Sequence, residues 1–354
     1  MSKKYKNKCK DIFSEENIKK NILIHYGLAD ANIEIIKFKD TDKQRAVYKI
    51  NKSGISYCLK KVYFDEKNLL FVYSALEWLW KNGIKTPTLL NTLSKEKYVK
   101  FKNMFFILTP WIDGVKCDFD NLDHLVISIR QLAGIHSYSR KFKPISGSEN
   151  RIGLSDYYIS TTKHFEQLLS FYNLASKSSD KFSNEYIKTF DDNLELAKAS
   201  LYLTSNINNN ELSKSLCHGD YVNKNIIFDY NSNIWVIDLD KCRFDYSARD
   251  FGYFLRRLLR RDTTCFDIEL TLSLLREYNN ITNLTPSDLR YILAYVAFPQ
   301  KFWKISRDYY KNLNKCNKDA FFALLQKSND KTYFHLKFIN EIIPRIESEY
   351  GFKL

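Results

Sequence analysis

No stretch constrains the fold of this chain more than Leu216–Arg261, LCHGDYVNKNIIFDYNSNIWVIDLDKCRFDYSARDFGYFLRRLLRR. It reads as a polar loop, a hairpin and a helix. In the loop, Cys217 to Asn225, a histidine and a glycine precede Asp220, and Asn225 follows five residues later. Ile226-Ile227-Phe228 then predicts a short strand, Asp229–Asn233 a turn and Ile234–Ile237 a second strand, ending on Asp238-Leu239-Asp240. With a period of two, Asp238 and Asp240 project to one side of that strand, and the hairpin returns that side to Asn225. Such an oxygen-rich set suits Mg²⁺, which keeps several waters and takes only one or two protein carboxylates besides substrate phosphates. Asp220 is then left to orient a hydroxyl.

His218-Gly219-Asp220 with Asn225, followed by Val236-Ile237-Asp238, resembles the catalytic and metal-binding segments of the aminoglycoside phosphotransferase and choline kinase group, relatives of the protein kinases. Within that group the chain is most similar to the CotS-type spore-coat proteins of endospore-forming bacteria. Leu59-Lys60-Lys61-Val62, Leu70-Phe71 through Leu79, Asn82-Gly83-Ile84 and Pro110-Trp111-Ile112-Asp113-Gly114 carry this second resemblance, with Leu132-Ala133-Gly134-Ile135-His136, Ala248-Arg249-Asp250 and Phe298-Pro299-Gln300-Lys301-Phe302-Trp303 further on.

The resemblance implies an α+β, bilobal protein-kinase-like fold: a basic tail over 1–10, a small N-lobe with an antiparallel sheet over 11–110, and a larger, mostly helical C-lobe over 111–354. It implies ATP and Mg²⁺ as cofactors and transfer of the γ-phosphoryl to a hydroxyl acceptor, which the sequence does not identify. In that scheme Asp220 accepts or orients the hydroxyl proton, Asn225 and Asp238 hold Mg²⁺, His218 braces the loop and Lys60 holds the phosphates. Leu108, Pro110 and Trp111 form the inter-lobe linker whose backbone contacts adenine. Asp250 braces the catalytic loop. Synthesis in the cytoplasm of the mother cell, deposition in the spore coat and contacts with other coat proteins also follow from the resemblance.

Composition narrows the classes. At 354 residues with 44% hydrophobic and 15% aromatic residues, the chain is long enough for one large or two modest cores. No apolar run reaches the length of a membrane span, since Glu77 interrupts Leu69–Trp80, and no apolar segment follows the basic start MSKKYKNKCK. The seven cysteines are scattered without a CxxC pair, which argues for reduced, mostly buried thiols over a zinc site or a disulfide framework. A net charge of +14 attracts anions, but the basic residues are spread along the chain without a nucleic-acid motif, so nucleic acid is an unlikely partner.

Taken in order, Ser14-Glu15-Glu16-Asn17 starts a helix that Gly27 closes. Strands follow at Ile33–Phe38, Ala46–Ile50 and Ile55–Val62, the last two joined by a turn at Asn51–Gly54. On the third strand Lys60 and Lys61 point to opposite faces. Two departures from the family pattern stand out. The turn Lys39–Arg45 has no glycine to let backbone amides approach a phosphate. In the helix predicted over Asn68–Lys81, the position expected to hold a lysine-pairing glutamate falls near Phe71 or Val72. Tyr98–Lys100 and Phe105–Leu108 predict another hairpin, and Asp123–Ser137 a helix with His136 in its core face. Further helices are expected at Tyr157–Ser178 and Glu185–Leu203. After Asp250, a helix buries Phe251, Phe254, Leu255, Leu258 and Leu259 and turns Arg256, Arg257, Arg260 and Arg261 outward, either as a dock for an anionic partner or as a solvated face with local ion pairs.

Two readings of function stay open. Retention of Asp220, Asn225 and Asp238 together favours an ATP-dependent phosphotransferase. The missing glutamate and glycines favour a kinase-fold coat component that acts by binding.

Overall fold

The computed structural model describes residues 12–39, 45–313 and 315–354. The basic tail over 1–10 and most of the glycine-free turn, residues 40–44, lie outside the described residues. The chain divides into two compact units, each assembled from three segments: residues 1–116, 141–151 and 224–242 in the first, 117–140, 152–223 and 243–354 in the second.

In the first unit, helix α1 (Glu15–Asn21) starts where the Ser14 hydroxyl accepts from the Asn17 amide, and a 3₁₀ turn, Leu23–Tyr26, runs on to Gly27. Strands β1 (Asn32–Lys39), β2 (Arg45–Lys52) and β3 (Ile55–Lys61) form an antiparallel meander. The β2–β3 hairpin turns on Ser53 and Gly54, both at positive φ, which matches the twist of the flanking strands. With β4 (Val99–Phe101) and β5 (Met104–Pro110) the sheet has the order β1-β2-β3-β5-β4. Alternation along β2 buries Tyr48 and Ile50, and Phe106 and Leu108 of β5, a strand buried continuously over Phe105–Leu108, join them against Leu59 of β3 and against Ile18 and Leu23. Helix α2 (Glu66–Lys81) begins two residues earlier than its apolar pattern predicts, because Asp65 accepts from the Asn68 amide at 2.9 Å as its N-cap. A three-stranded sheet, β6-β8-β9, completes the unit, with β6 (Val115–Lys116), β8 (Ile226–Phe228) and β9 (Ile234–Val236). A Cβ on Gly114 would stand 2.2 Å from the Phe228 carbonyl oxygen, so only glycine lets the chain cross β8 there.

The second unit is helical apart from β7 (Lys214–Cys217) and β10 (Arg243–Tyr246), which pair antiparallel. Helix α3 (Leu122–Tyr138) buries Leu125, Ile129, Leu132, Ala133 and His136 on one face, as the sequence period predicts. Helices α4 (Tyr157–Ala175), α5 (Lys181–Lys188) and α6 (Phe190–Ser205) follow. Where one helix was expected over 185–203 there are two. Asp180 caps α5, and the Thr189 hydroxyl donates back to the Glu185 carbonyl, which favours a break at that residue. Helix α7 (Ser247–Leu259) buries the apolar stripe beginning at Phe251, and it is followed by α8 (Ile268–Asn279), α9 (Pro286–Ala297), α10 (Gln300–Lys311), α11 (Lys318–Asn329) and α12 (Thr332–Tyr350). No helix among the described residues is long and apolar enough to cross a membrane. The cysteines among the described residues are free.

Candidate active site

Candidate residues fall in both units. In the first, Lys60 lies next to last on β3, between the core residue Leu59 and Lys61, on the alternate face. Its ammonium donates to Asp238 Oδ1 at 2.6 Å and to Asp240 Oδ1 at 2.7 Å. Burial pulls the Lys60 pKa down, but the two carboxylates outweigh burial and hold it above the ordinary lysine value. Lys60 is therefore a fixed cation.

The two carboxylates do not reach it in the way the strand period implied. Strand β9 ends at Val236, Asp238 takes the left-handed conformation at φ 64°, and Leu239–Lys241 coil into a 3₁₀ turn. Side-chain alternation stops with the ladder. The kink then folds Asp238 and Asp240 onto one lysine. A left-handed aspartate is tolerated better than most residues, and here the ion pair with Lys60 holds it in place. Asn225 is buried, and its carbonyl accepts from the Ile237 amide at 2.9 Å, which fixes it beside the start of the kink.

Asp240 itself is 4% exposed, and its Oδ2 has no hydrogen-bond partner. Its backbone carbonyl accepts from Arg151 Nη2 at 2.7 Å, and the Arg151 guanidinium lies 5.6 Å from the centre of the Phe71 ring. Phe71 is one of the two positions where the family glutamate was expected, and it is buried. Glu66 of the same helix accepts instead from the Tyr98 hydroxyl. Asp240 thus holds Lys60 where α2 supplies no acid. Asp240 is legible in the sequence as a neighbour of the metal ligands, but not as a partner of Lys60. The signal was the Asp-x-Asp spacing itself, but only the kink gives it that meaning.

The donor set fits Mg²⁺: carboxylate oxygens from Asp238, an amide oxygen from Asn225 and an unsatisfied buried oxygen on Asp240 are the hard ligands that cation takes. The linker residues lie at the end of β5. Leu108 pairs with Leu59 and Pro110 with Tyr57; the Leu108 carbonyl accepts from the Leu90 amide at 2.8 Å, and the Trp111 amide donates to the Ser56 carbonyl at 3.1 Å. Leu108 is buried, while Pro110 and Trp111 are half-buried. Lys49 stands 4.9 Å above the Trp111 ring.

In the second unit β7 delivers the loop. Gly219 has φ 75°, a conformation that glycine adopts without strain. Asp250, in the first turn of α7, accepts from the His218 amide at 2.5 Å and from the Gly219 amide at 2.9 Å. Burial alone would raise its pKa; His136, whose Nε2 is 3.6 Å away, and the loop amides bring it below the ordinary carboxylate value. His136 is a core residue bonded through Nδ1 to the Tyr278 hydroxyl at 2.7 Å. With Cys217 it forms a buried group of possible metal ligands around Asp250, but that carboxylate is already committed to the loop amides and burial pushes the Cys217 thiol up. The group braces the loop. The His218 side chain accepts from the Asp220 amide through Nδ1 at 3.2 Å, and the Tyr253 hydroxyl donates to Asp220 Oδ1 at 3.1 Å. Tyr253 was not singled out in the sequence, since a tyrosine in an amphipathic helix carries no distinguishing mark.

The model of the phosphotransferase enzyme family matches residues 39–283, more than two thirds of the chain. Among solved structures, an aminoglycoside phosphotransferase from Alicyclobacillus acidocaldarius is similar over 92% of this chain and 96% of its own, with a TM-score of 0.76 at 18% identity. A spectinomycin phosphotransferase in complex with ADP and spectinomycin matches over 90% of this chain and 95% of its own, with a TM-score of 0.63 at 19% identity. A microcompartment-associated aminopropanol kinase matches over 94% and 97%, with a TM-score of 0.57 at 14% identity. At these identities the likeness is one of fold, the bilobal α+β fold of kinase-like phosphotransferases. The family match over residues 39–283 goes further: this chain belongs to the phosphotransferase enzyme family.

Proposed function

We propose that the protein is an ATP-dependent phosphotransferase acting on a hydroxyl group. The observation that carries this reading is the Lys60 ammonium fixed between Asp238 and Asp240. A strand lysine is usually solvated, whereas this one is anchored beside oxygen donors that suit Mg²⁺. Lys60 holds phosphate oxygens, Asn225 and Asp238 hold the metal, and Asp240 keeps the lysine in place. Bound Mg²⁺ would neutralise charge on the phosphates. Asp220, aimed by His218 and Tyr253, orients the acceptor hydroxyl and takes its proton, while Leu108, Pro110 and Trp111 line the adenine end. Positioning and charge neutralisation supply most of the rate in such transfers. The complex of the spectinomycin phosphotransferase with ADP supports nucleotide use by a chain of this fold.

The test is ADP formation from ATP over a panel of hydroxyl compounds. Asp220→Asn should lower turnover by about 10²–10⁴-fold while ATP binding persists, the range for loss of a positioned base. Unchanged turnover in that variant contradicts the assigned role.

A second reading rests on Phe71, buried where a glutamate was expected. It makes the chain a kinase-fold assembly protein of the spore coat with little or no catalysis, and absence of ATP binding would favour it. On the residues that resemble CotS-type proteins, we extend both readings to synthesis in the mother-cell cytoplasm and deposition in the coat beside other coat proteins. A fluorescent fusion in a sporulating endospore-former that stayed in the mother-cell cytoplasm would contradict that extension.

A further inference from the structure

The arginine cluster at the end of α7, with Arg256 and Arg257 on the helix and Arg260 and Arg261 just beyond it, is not the solvated face with local ion pairs that was one of its two readings. Among the described residues, Arg261 alone of the four arginines at 256, 257, 260 and 261 makes an ion pair, with Asp120 at 2.5 Å. The other three are bonded to neutral oxygens. Arg256 donates to the Tyr295 hydroxyl at 2.8 Å and to Gln300 Oε1 at 3.4 Å, Arg257 to the Tyr253 hydroxyl at 3.4 Å, and Arg260 to the Ser328 carbonyl at 3.3 Å. Lys301, on the first turn of α10, is exposed and pairs with no carboxylate among the described residues. These bonds satisfy donors and leave the charges uncompensated.

The electrostatics agree. Burial, reinforced by Arg256, lowers the Arg260 pKa to about 10, and partial burial of the ammonium on an otherwise exposed side chain, with the charges of Arg260 and Arg257, pulls Lys301 below the ordinary lysine value. An ordinary solvated face with local ion pairs would not crowd like charges in this way. The cluster is also wired to the reaction. Tyr253 bridges the Asp220 carboxylate and the Arg257 guanidinium, so the positive charge begins one side chain away from the group that orients the acceptor hydroxyl.

We propose that the acceptor is a small hydroxyl compound bearing an anionic group, phosphate or carboxylate, which Arg257 and Lys301 bind while its hydroxyl reaches Asp220. This rests on the phosphotransferase reading and names the substrate class for it. The acceptor oxygen bonds to the γ-phosphorus of ATP, the bond from that phosphorus to the bridging oxygen of ADP breaks, and the hydroxyl proton passes to Asp220. Guanidinium and ammonium donors to phosphate or carboxylate form the stronger, charge-assisted class of hydrogen bond.

Three acceptors on one three-carbon backbone test the proposal: glycerol 3-phosphate, glycerol and an amino-diol. ADP formation and thermal stabilisation without nucleotide are read for the native chain, for Arg257→Ala and for Lys301→Gln. We expect glycerol 3-phosphate to have the lowest KM and to raise Tm. Either substitution should raise that KM about tenfold, as loss of one charge-assisted contact of about 1.5 kcal/mol implies, and should reduce the stabilisation. The Tm rise should persist in Asp238→Ala, which touches only the nucleotide side. Preference for the amino-diol or for glycerol overturns the proposal, as does a KM that neither substitution moves or the absence of any stabilisation by glycerol 3-phosphate. Failure to bind ATP, with stabilisation by glycerol 3-phosphate intact and lost in Arg257→Ala, would instead remove the phosphotransferase reading and keep the anion site.

Discussion

Asp240 is the residue on which the nucleotide half of the account turns. Its carboxylate, with that of Asp238, immobilises the Lys60 ammonium, and its carbonyl is clamped by Arg151. Asp240→Asn keeps the size and removes the charge. The variant should bind MgATP about tenfold more weakly, the loss expected when a charge-assisted contact of about 1.5–3 kcal/mol is reduced to a neutral one. Isothermal titration checks it, and a native Kd would mean that Asp238 alone holds the lysine. Asp250 plays the corresponding part for the loop. Replacing it by alanine leaves the His218 and Gly219 amides without their acceptor, at about 1–3 kcal/mol for each unsatisfied buried group. Urea unfolding of Asp250→Ala should therefore report a loss of about 2–6 kcal/mol; a loss below about 1 kcal/mol would show that solvent replaces it.

At the scale of elements, much of the architecture was legible in the sequence and some of it was not. The β2–β3 hairpin was readable because Asn51–Gly54 offers the positive φ its turn requires, and α3 because its apolar spacing is regular. Asp238 and Asp240 were read as candidate oxygen donors from a period that ends two residues short of Asp238. Periodicity describes residues inside a ladder; the left-handed kink beyond it is decided by the ion pair with Lys60, a contact across 178 positions of sequence. The partner of Lys60 was sought on α2 and is found on the 3₁₀ turn for the same reason. Likewise, a helical wheel put the four arginines on one face but gave no information about their partners on other helices.

Across the whole molecule, charge and burial set the response to acid. His335, buried against Phe266 with Nε2 on the Val296 carbonyl, is held near pKa 3, first by burial and then by Arg260. His164 is lowered to about 4, mainly by burial and also by Arg307. Both folded-state values lie below the unfolded value near 6.5. The unfolded chain therefore takes up protons first, and stability that is complete above that value declines as pH falls through it, by up to about 1.4 kcal/mol per pH unit for the fully buried His335 and by less for the half-buried, solvent-screened His164. Tm should drop steadily from pH 7 to pH 5, and His335→Gln should flatten the slope. An unchanged slope in that variant would assign the acid sensitivity elsewhere.

Thermal stabilisation by ATP, with and without Mg²⁺, in the native chain and in Asp238→Ala, tests for a nucleotide site built on Lys60, Asn225 and Asp238. A ligand at about 100 times its Kd contributes about 2.7 kcal/mol to the folded state, enough for a shift of a few degrees in a chain this long. A Mg²⁺-dependent rise in Tm that is lost in Asp238→Ala is the expected result. No rise at millimolar ATP, or an equal rise in the variant, would contradict it.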